Sequence, residues 1–219
     1  MSPVPAPEPD ALLLERWRAG DKQAAGQLID RHYPVVSRFF RSKVELGVAE
    51  DMTQKTFLIC VRRQENYRGE ASFRAYLLGI ARNVLLHELR ARSRRPEFDG
   101  DHTSIADLGT SPSQRLAKRL EQRLLLQSLR SLPINDQCLL ELYRFESMSA
   151  PEVAEVLGIT VTAVRGRLRR AMARLRRTLL ELIDQPKLRE SITAEFEPWA
   201  RSIREQLDAL DLATPDDDD

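Results

Sequence analysis

The sequence predicts an all-α protein. It has two small helical domains joined by a flexible acidic linker, the second a helix-turn-helix domain, plus a C-terminal helical extension. Three observations predict this. Apolar residues recur at three- and four-residue spacing, and no stretch alternates with the period of two that a strand needs. Residues 96–112 hold four acids, two prolines and two glycines but no lysine or arginine, the composition of a linker. Finally, residues 150–177 carry a small residue, a glycine and a β-branched residue at the spacing of two helices meeting across a tight turn.

The elements follow in order. Four prolines in the first ten residues predict a disordered start at 1–9. Asp10 is suited to cap a helix over 11–19 that stops at Gly20, and Asp21 to cap a second. That second helix puts Ile29, Val36, Phe39, Phe40 and Val44 largely on one face, with Pro34 a place to bend. A third segment runs from Ala49 to about Asn66, with Met52, Phe57, Leu58 and Val61 apolar. The fourth, from Ser72 to Arg95, buries Phe73, Leu77, Ile80, Ala81, Val84 and Leu85. Residues 10–95 thus form the first domain. Helical periodicity resumes near Ser113 with Leu116, Leu120, Leu124 and Leu125, breaks at Pro133, and returns with Cys138, Leu139, Leu142 and Tyr143. Together with the segment that follows, this makes a second domain over 113–183.

In that segment Pro151 suits a first helical turn, Ala154 permits close approach, and Gly158 sits where the turn wants a positive φ. Val153, Leu157, Ile159, Val164 and Leu168 provide the contacts between the two helices and with the rest of the domain. The second of these helices carries Arg165, Arg167, Arg169, Arg170, Arg174, Arg176 and Arg177 with no acid among them. Its apolar stripe is Val164, Leu168, Ala171 and Leu175, so several arginines project outward, able to meet phosphates and guanine edges. A solvated surface helix normally mixes charge signs; this one does not. A second basic surface closes the first domain, where Arg82, Arg90, Arg92, Arg94 and Arg95 face a single acid, Glu88. Phe73 and Tyr76 precede it on the same helix, and cations beside aromatics suit single-stranded nucleic acid.

Net charge hides this layout. The 219 residues total +1, but positions 1–180 carry 30 basic and 21 acidic residues while 181–219 carry 4 and 12. A basic body with an acidic tail implies a polyanion partner. No apolar run approaches the ~20 residues of a membrane span, and no secretory signal opens the chain, which predicts a cytoplasmic protein with no membrane insertion. Two distant cysteines, Cys60 and Cys138, read as buried thiols. Three scattered histidines offer no metal-ligand spacing, and no glycine-rich phosphate loop appears. Neither an enzyme nor a cofactor is expected.

The residues resemble the extracytoplasmic-function sigma factors, the compact two-domain branch of the sigma-70 family. The resemblance runs from about Leu12 to Leu180. It rests on Gly20-Asp21 with Ala24, AEDMTQKTF at 49–57, YRGEASFRAYLLGIARN at 67–83, the arginine cluster to Arg95, Leu132-Pro133, and SMSAPEVAEVLGITVTAVRGRLRRA at 147–171. It implies a bacterial initiation subunit that binds core RNA polymerase and directs it to promoter DNA. Asp51, Gln54 and Lys55 would then meet the polymerase clamp. Phe73, Tyr76, Arg82, Asn83, Arg90, Arg92 and Arg94 would read and melt the −10 element, with an extruded base held in the loop before Phe73. Thr160, Thr162, Arg165, Gly166, Arg169 and Arg170 would read the duplex −35 element. The acidic linker would thread the polymerase's nucleic-acid channels. Five positions depart from the family pattern: Lys55 stands where Glu is common, Tyr76 where Trp is, and in the recognition helix Thr162-Ala163 and Gly166 replace the usual Gly-Thr and Ser.

The resemblance also implies an inhibitory partner, an anti-sigma factor. The extension at 184–219 offers an intramolecular substitute: its acids would dock on the arginines while Phe196 and Trp199 anchor it. The alternative is a helix-turn-helix transcriptional regulator with a helical sensor or dimerisation domain, which explains 150–177 but not the motifs at 49–57 and 67–95.

Overall fold

The computed structural model describes residues 8–69, 71–93, 98–106, 120–183, 186 and 189–190. Among these it contains eight α-helices and no strand, the all-α architecture expected. The extension beyond 190, with Phe196 and Trp199, lies outside the described residues, as do Arg94, Arg95 and the stretch 107–119.

The first domain is built from α1 (Asp10–Arg18), α2 (Lys22–Arg41), α3 (Leu46–Arg62) and α4 (Phe73–Arg92). Asp21 caps α2 as its position predicts, accepting from the amides of Gln23 and Ala24 at 2.9 and 3.2 Å. Asp10 does not cap α1. Its carboxylate turns to α2, accepting from Arg31 at 2.6 Å and lying 2.7 Å from His32, because charged partners bind a carboxylate better than a free amide does. The inner face of α2 is Ala24, Leu28, His32, Val36 and Phe40, a run at every fourth residue that continues through Pro34 without interruption. Helix α3 starts three residues earlier than expected. Inside it Thr53 and Thr56 are buried, each hydroxyl donating to the carbonyl four residues back, so neither leaves an orphaned polar group. Helix α4 is capped by Ser72 and buries Phe73, Leu77, Leu78, Ala81, Val84, Leu85 and Leu89.

The second domain comprises α5 (Leu120–Arg130), α6 (Ile134–Leu140), α7 (Ala150–Leu157) and α8 (Val161–Leu182). Helix α6 runs on as one π-helical turn, Glu141–Phe145, after which Ser147 takes φ 51° and redirects the chain. Ser149 and Glu152 form a reciprocal capping box on α7, with Pro151 in its first turn. Gly158 sits at φ 65°, ψ 37°, and Thr160 caps α8 through the Ala163 amide at 3.2 Å. The helix-turn-helix is therefore formed by the residues that its spacing singles out.

The linker departs from expectation. Residues 98–106 are packed against the second domain rather than free of it: Ile105 is fully buried, and the amides of Asn135 and Ile134 donate to the carbonyls of Gly100 and Thr103, both at 3.0 Å. A Cβ at Gly100 would lie 3.1 Å from the Asn135 side chain, so a larger residue there would have to push that side chain aside by a few tenths of an ångström. Composition could not report this, since the contacts are made by backbone groups, one isoleucine and the Asp101 carboxylate, whose partners lie far away in sequence. The two domains also touch, with α7 packed on α4. Burial pushes the Cys60 thiol up to about 12 and the Cys138 thiol to about 11.

Two outcomes are expected. Gly158→Ala should lower stability by about 1–2 kcal/mol, the left-handed backbone penalty of a Cβ. Gly79→Ala, where α4 has open space, should raise it by about 0.5–1 kcal/mol; paired thermal or urea unfolding would check both signs. Neither thiol should react with an alkylating reagent at pH 8 in the native protein, and both should in denaturant, as counted by mass spectrometry.

Candidate nucleic-acid and polymerase interface

Three exposed surfaces carry the predicted residues. On α3, Asp51, Gln54 and Lys55 share one face, as positions three and four apart must. Leu58 and Val61 extend the same face and are 50% and 42% exposed, unusual for aliphatic side chains on a helix with a buried side. The outward stripe is thus polar at its start and apolar at its end.

Beside it, α3 and α4 flank a cleft of about 510 Å³, lined by Lys55, Arg63, Asn66, Tyr76, Asn83 and His87 among others, with Glu155 of α7 at its edge. Tyr76 is half-buried there. Its hydroxyl donates to the Arg63 carbonyl at 2.9 Å, and its ring tilts against Tyr67 with centroids 5.2 Å apart. Burial pushes both phenols above their ordinary range, so they remain neutral donors. Phe73 is not on this surface. It is 4% exposed, packed edge-on to His32 and Tyr67, each at 5.5 Å, and cannot stack on a base without unpacking the core.

The loop between α3 and α4 is tied down from a distance. Arg18, at the end of α1, donates to the carbonyls of Gln64 and Tyr67 at 2.8 and 2.6 Å, and the Tyr67 hydroxyl donates to the Ala71 carbonyl at 2.6 Å. Arg18, Arg63, Asn66 and His87 did not emerge from the sequence motifs; a basic residue closing a short helix gives no sign of a target 46 residues away.

Further along α4 the arginines meet different fates. Arg82 is half-buried and donates to Asn135 at 2.7 Å; Asn135 in turn donates to Asp101, which also accepts from Arg167. Partial burial pushes the Asp101 carboxyl up, but the bonds from Asn135 and Arg167 bring it below its ordinary range, so it stays charged. Asn83 and Arg90 are exposed. Arg92 pairs with Glu88 at 2.7 Å on the surface.

On α8, Arg165, Arg169 and Arg170 are exposed, and Thr162 is exposed at its amino end. The Thr160 hydroxyl serves as the cap but keeps its own proton to donate. Gly166 is half-buried between them, with an Arg170 nitrogen 3.7 Å from where a Cβ would stand. Arg174 is directed elsewhere, donating to the buried Asp136 at 2.5 Å; burial nevertheless raises that carboxyl's pKa. Arg165, Arg169 and Arg170 thus form the exposed basic trio of the amino-terminal half of α8, with Arg176 and Arg177 exposed further along.

Comparison with known proteins identifies the family. Residues 28–95 match the family model for sigma-70 region 2, and 122–175 match that for sigma-70 region 4. The chain is similar to the RNA polymerase sigma-H factor of Pseudomonas aeruginosa, 30% identical over 196 residues covering 84% of this chain and 98% of that one. It is also 30% identical to the extracytoplasmic-function sigma-E factor of Haemophilus influenzae, over 74% of this chain and 90% of that one. Among solved structures, CnrH in complex with the cytosolic domain of CnrY matches with TM-score 0.58 and 26% identity, over 80% of this chain and 99% of that one. A regulator with an unrelated sensor domain is not favoured, because the first domain itself matches. The chain belongs to the sigma-70 family, in its extracytoplasmic-function branch, and is a sigma factor that directs RNA polymerase to promoters.

Proposed function

We propose that the work is divided among the three exposed surfaces. The α3 face of Asp51, Gln54, Lys55, Leu58 and Val61 docks on core polymerase, its apolar end adding buried area to the polar contacts. The cleft beside Tyr76 and Asn83, with Arg82, Arg90, Arg92 and Arg94, engages the −10 strand once it is melted. Arg165, Gly166, Arg169 and Arg170, led by Thr160 and Thr162, read the −35 duplex. The assignment gives residues 10–95 and 113–183 to the two promoter elements and 96–112 to the connection between them. The sigma factor acts in the cytoplasm, catalyses no reaction of its own, and binds a protein partner, as CnrH binds the cytosolic domain of CnrY, which in this reading inhibits it.

The observation that carries this reading is the trio of exposed arginines on α8, set on a helix whose opposite face, Val164, Ala171 and Leu175, is buried. Guanidinium groups fixed by a packed helix are pre-oriented for guanine edges and phosphates. Reconstitution with core polymerase should give promoter-specific initiation without another specificity subunit. Arg165→Ala, Arg169→Ala and Arg170→Ala should each weaken promoter binding by up to about 1–3 kcal/mol where the arginine reads a base. Asp51→Ala with Gln54→Ala should instead weaken core binding in a pull-down. Normal initiation by all of these variants would overturn the assignment.

A further inference from the structure

We propose that Arg18 is a positioning residue for −10 recognition, acting from outside the recognition surface. The loop between α3 and α4 forms one wall of the cleft through Arg63 and Asn66, and several of its carbonyls take side-chain donors, those of Arg63 and Gln64 in addition to the Asn66 and Tyr67 amides of a short 3₁₀ turn. Arg18 takes up two of them, Gln64 and Tyr67, with one guanidinium nitrogen, while Tyr76 takes up that of Arg63 and Tyr67 that of Ala71. The loop is therefore held at four carbonyls by three side chains, and only Arg18 comes from outside the α3–α4 unit. Its bond lengths fix the height of the wall against which an unstacked base would sit. Arg18 touches no DNA in this arrangement; it sets the geometry of the groups that do. The inference rests on the sigma reading of the cleft.

The test is initiation by full-length protein with core polymerase on a promoter library randomised across the −10 element. Arg18→Ala should lower base discrimination at one −10 position about ten-fold, while core affinity and −35 discrimination stay unchanged. Arg18→Lys should recover part of the selectivity, since an ammonium can reach one carbonyl. If wild-type protein shows no −10 preference, the sigma reading itself fails. If wild type selects and Arg18→Ala selects equally, the positioning role is overturned. Circular dichroism and amide exchange over 63–72 separate a loosened loop from an unfolded domain; global unfolding of both variants would also count against a positioning role.

Discussion

A single buried ammonium organises the contact between the domains. Lys43, at the end of α2, has no exposed surface. It donates to the Phe39 carbonyl at 2.6 Å and the Ser42 hydroxyl at 3.0 Å, lies 3.9 Å from the Phe39 ring centroid, and pairs with Glu141 of the second domain. Glu141 is itself held by Gln137 at 2.8 Å and Ser42 at 3.2 Å. Left without a counter-charge, a buried ammonium costs several kcal/mol. The first domain therefore presents a site that only an acid at one place can fill, and the end of α6 delivers that acid. A regular α-helix continuing through Glu141–Phe145 would rotate away the residues that follow, among them Glu146, which accepts from Arg38 of α2 at 2.8 and 2.9 Å and from Arg74 of α4.

This explains which parts of the molecule were legible in the sequence. Helices are local objects, so apolar spacing located all four elements of the first domain to within a few residues, and the 150–177 spacing located the helix-turn-helix. Local caps were legible too: Asp21 and Gly158 do what their neighbours imply. Asp10 failed because its carboxylate was claimed by residues 21 and 22 positions away, on another helix. Phe73 illustrates the same limit from the core side. Its position at the start of α4 suits either role, and only the rings of His32 and Tyr67 decide that it is core.

The functional surfaces divide along the same line. Arg165, Arg169 and Arg170 were legible because a one-signed helix face is a pattern within a single element. The supports were not: Arg18, Glu141 and Glu146 act between elements 46 to 108 positions apart. Acids that meet arginines across a domain boundary look in sequence like ordinary solvated charges. The linker misled for a related reason, since its acidic composition is real but Asp101 is bound by Asn135 and Arg167 rather than free in solvent.

The placement of Glu141 and Glu146 in the second domain has a consequence for synthesis. The first domain ends with α4 at Arg92, and the acids that meet Lys43, Arg38 and Arg74 come later, at Glu141 and Glu146. Synthesis from Arg92 to Glu146 takes roughly 3–11 s of elongation at bacterial rates. During that interval the nascent first domain carries Lys43, Arg38 and Arg74 before Glu141 and Glu146 exist. Its α3 face is already formed, because α3 packs on α2 and α4. The order of the chain thus gives each new molecule a brief period in which its polymerase-facing surface exists before its internal counter-charge does.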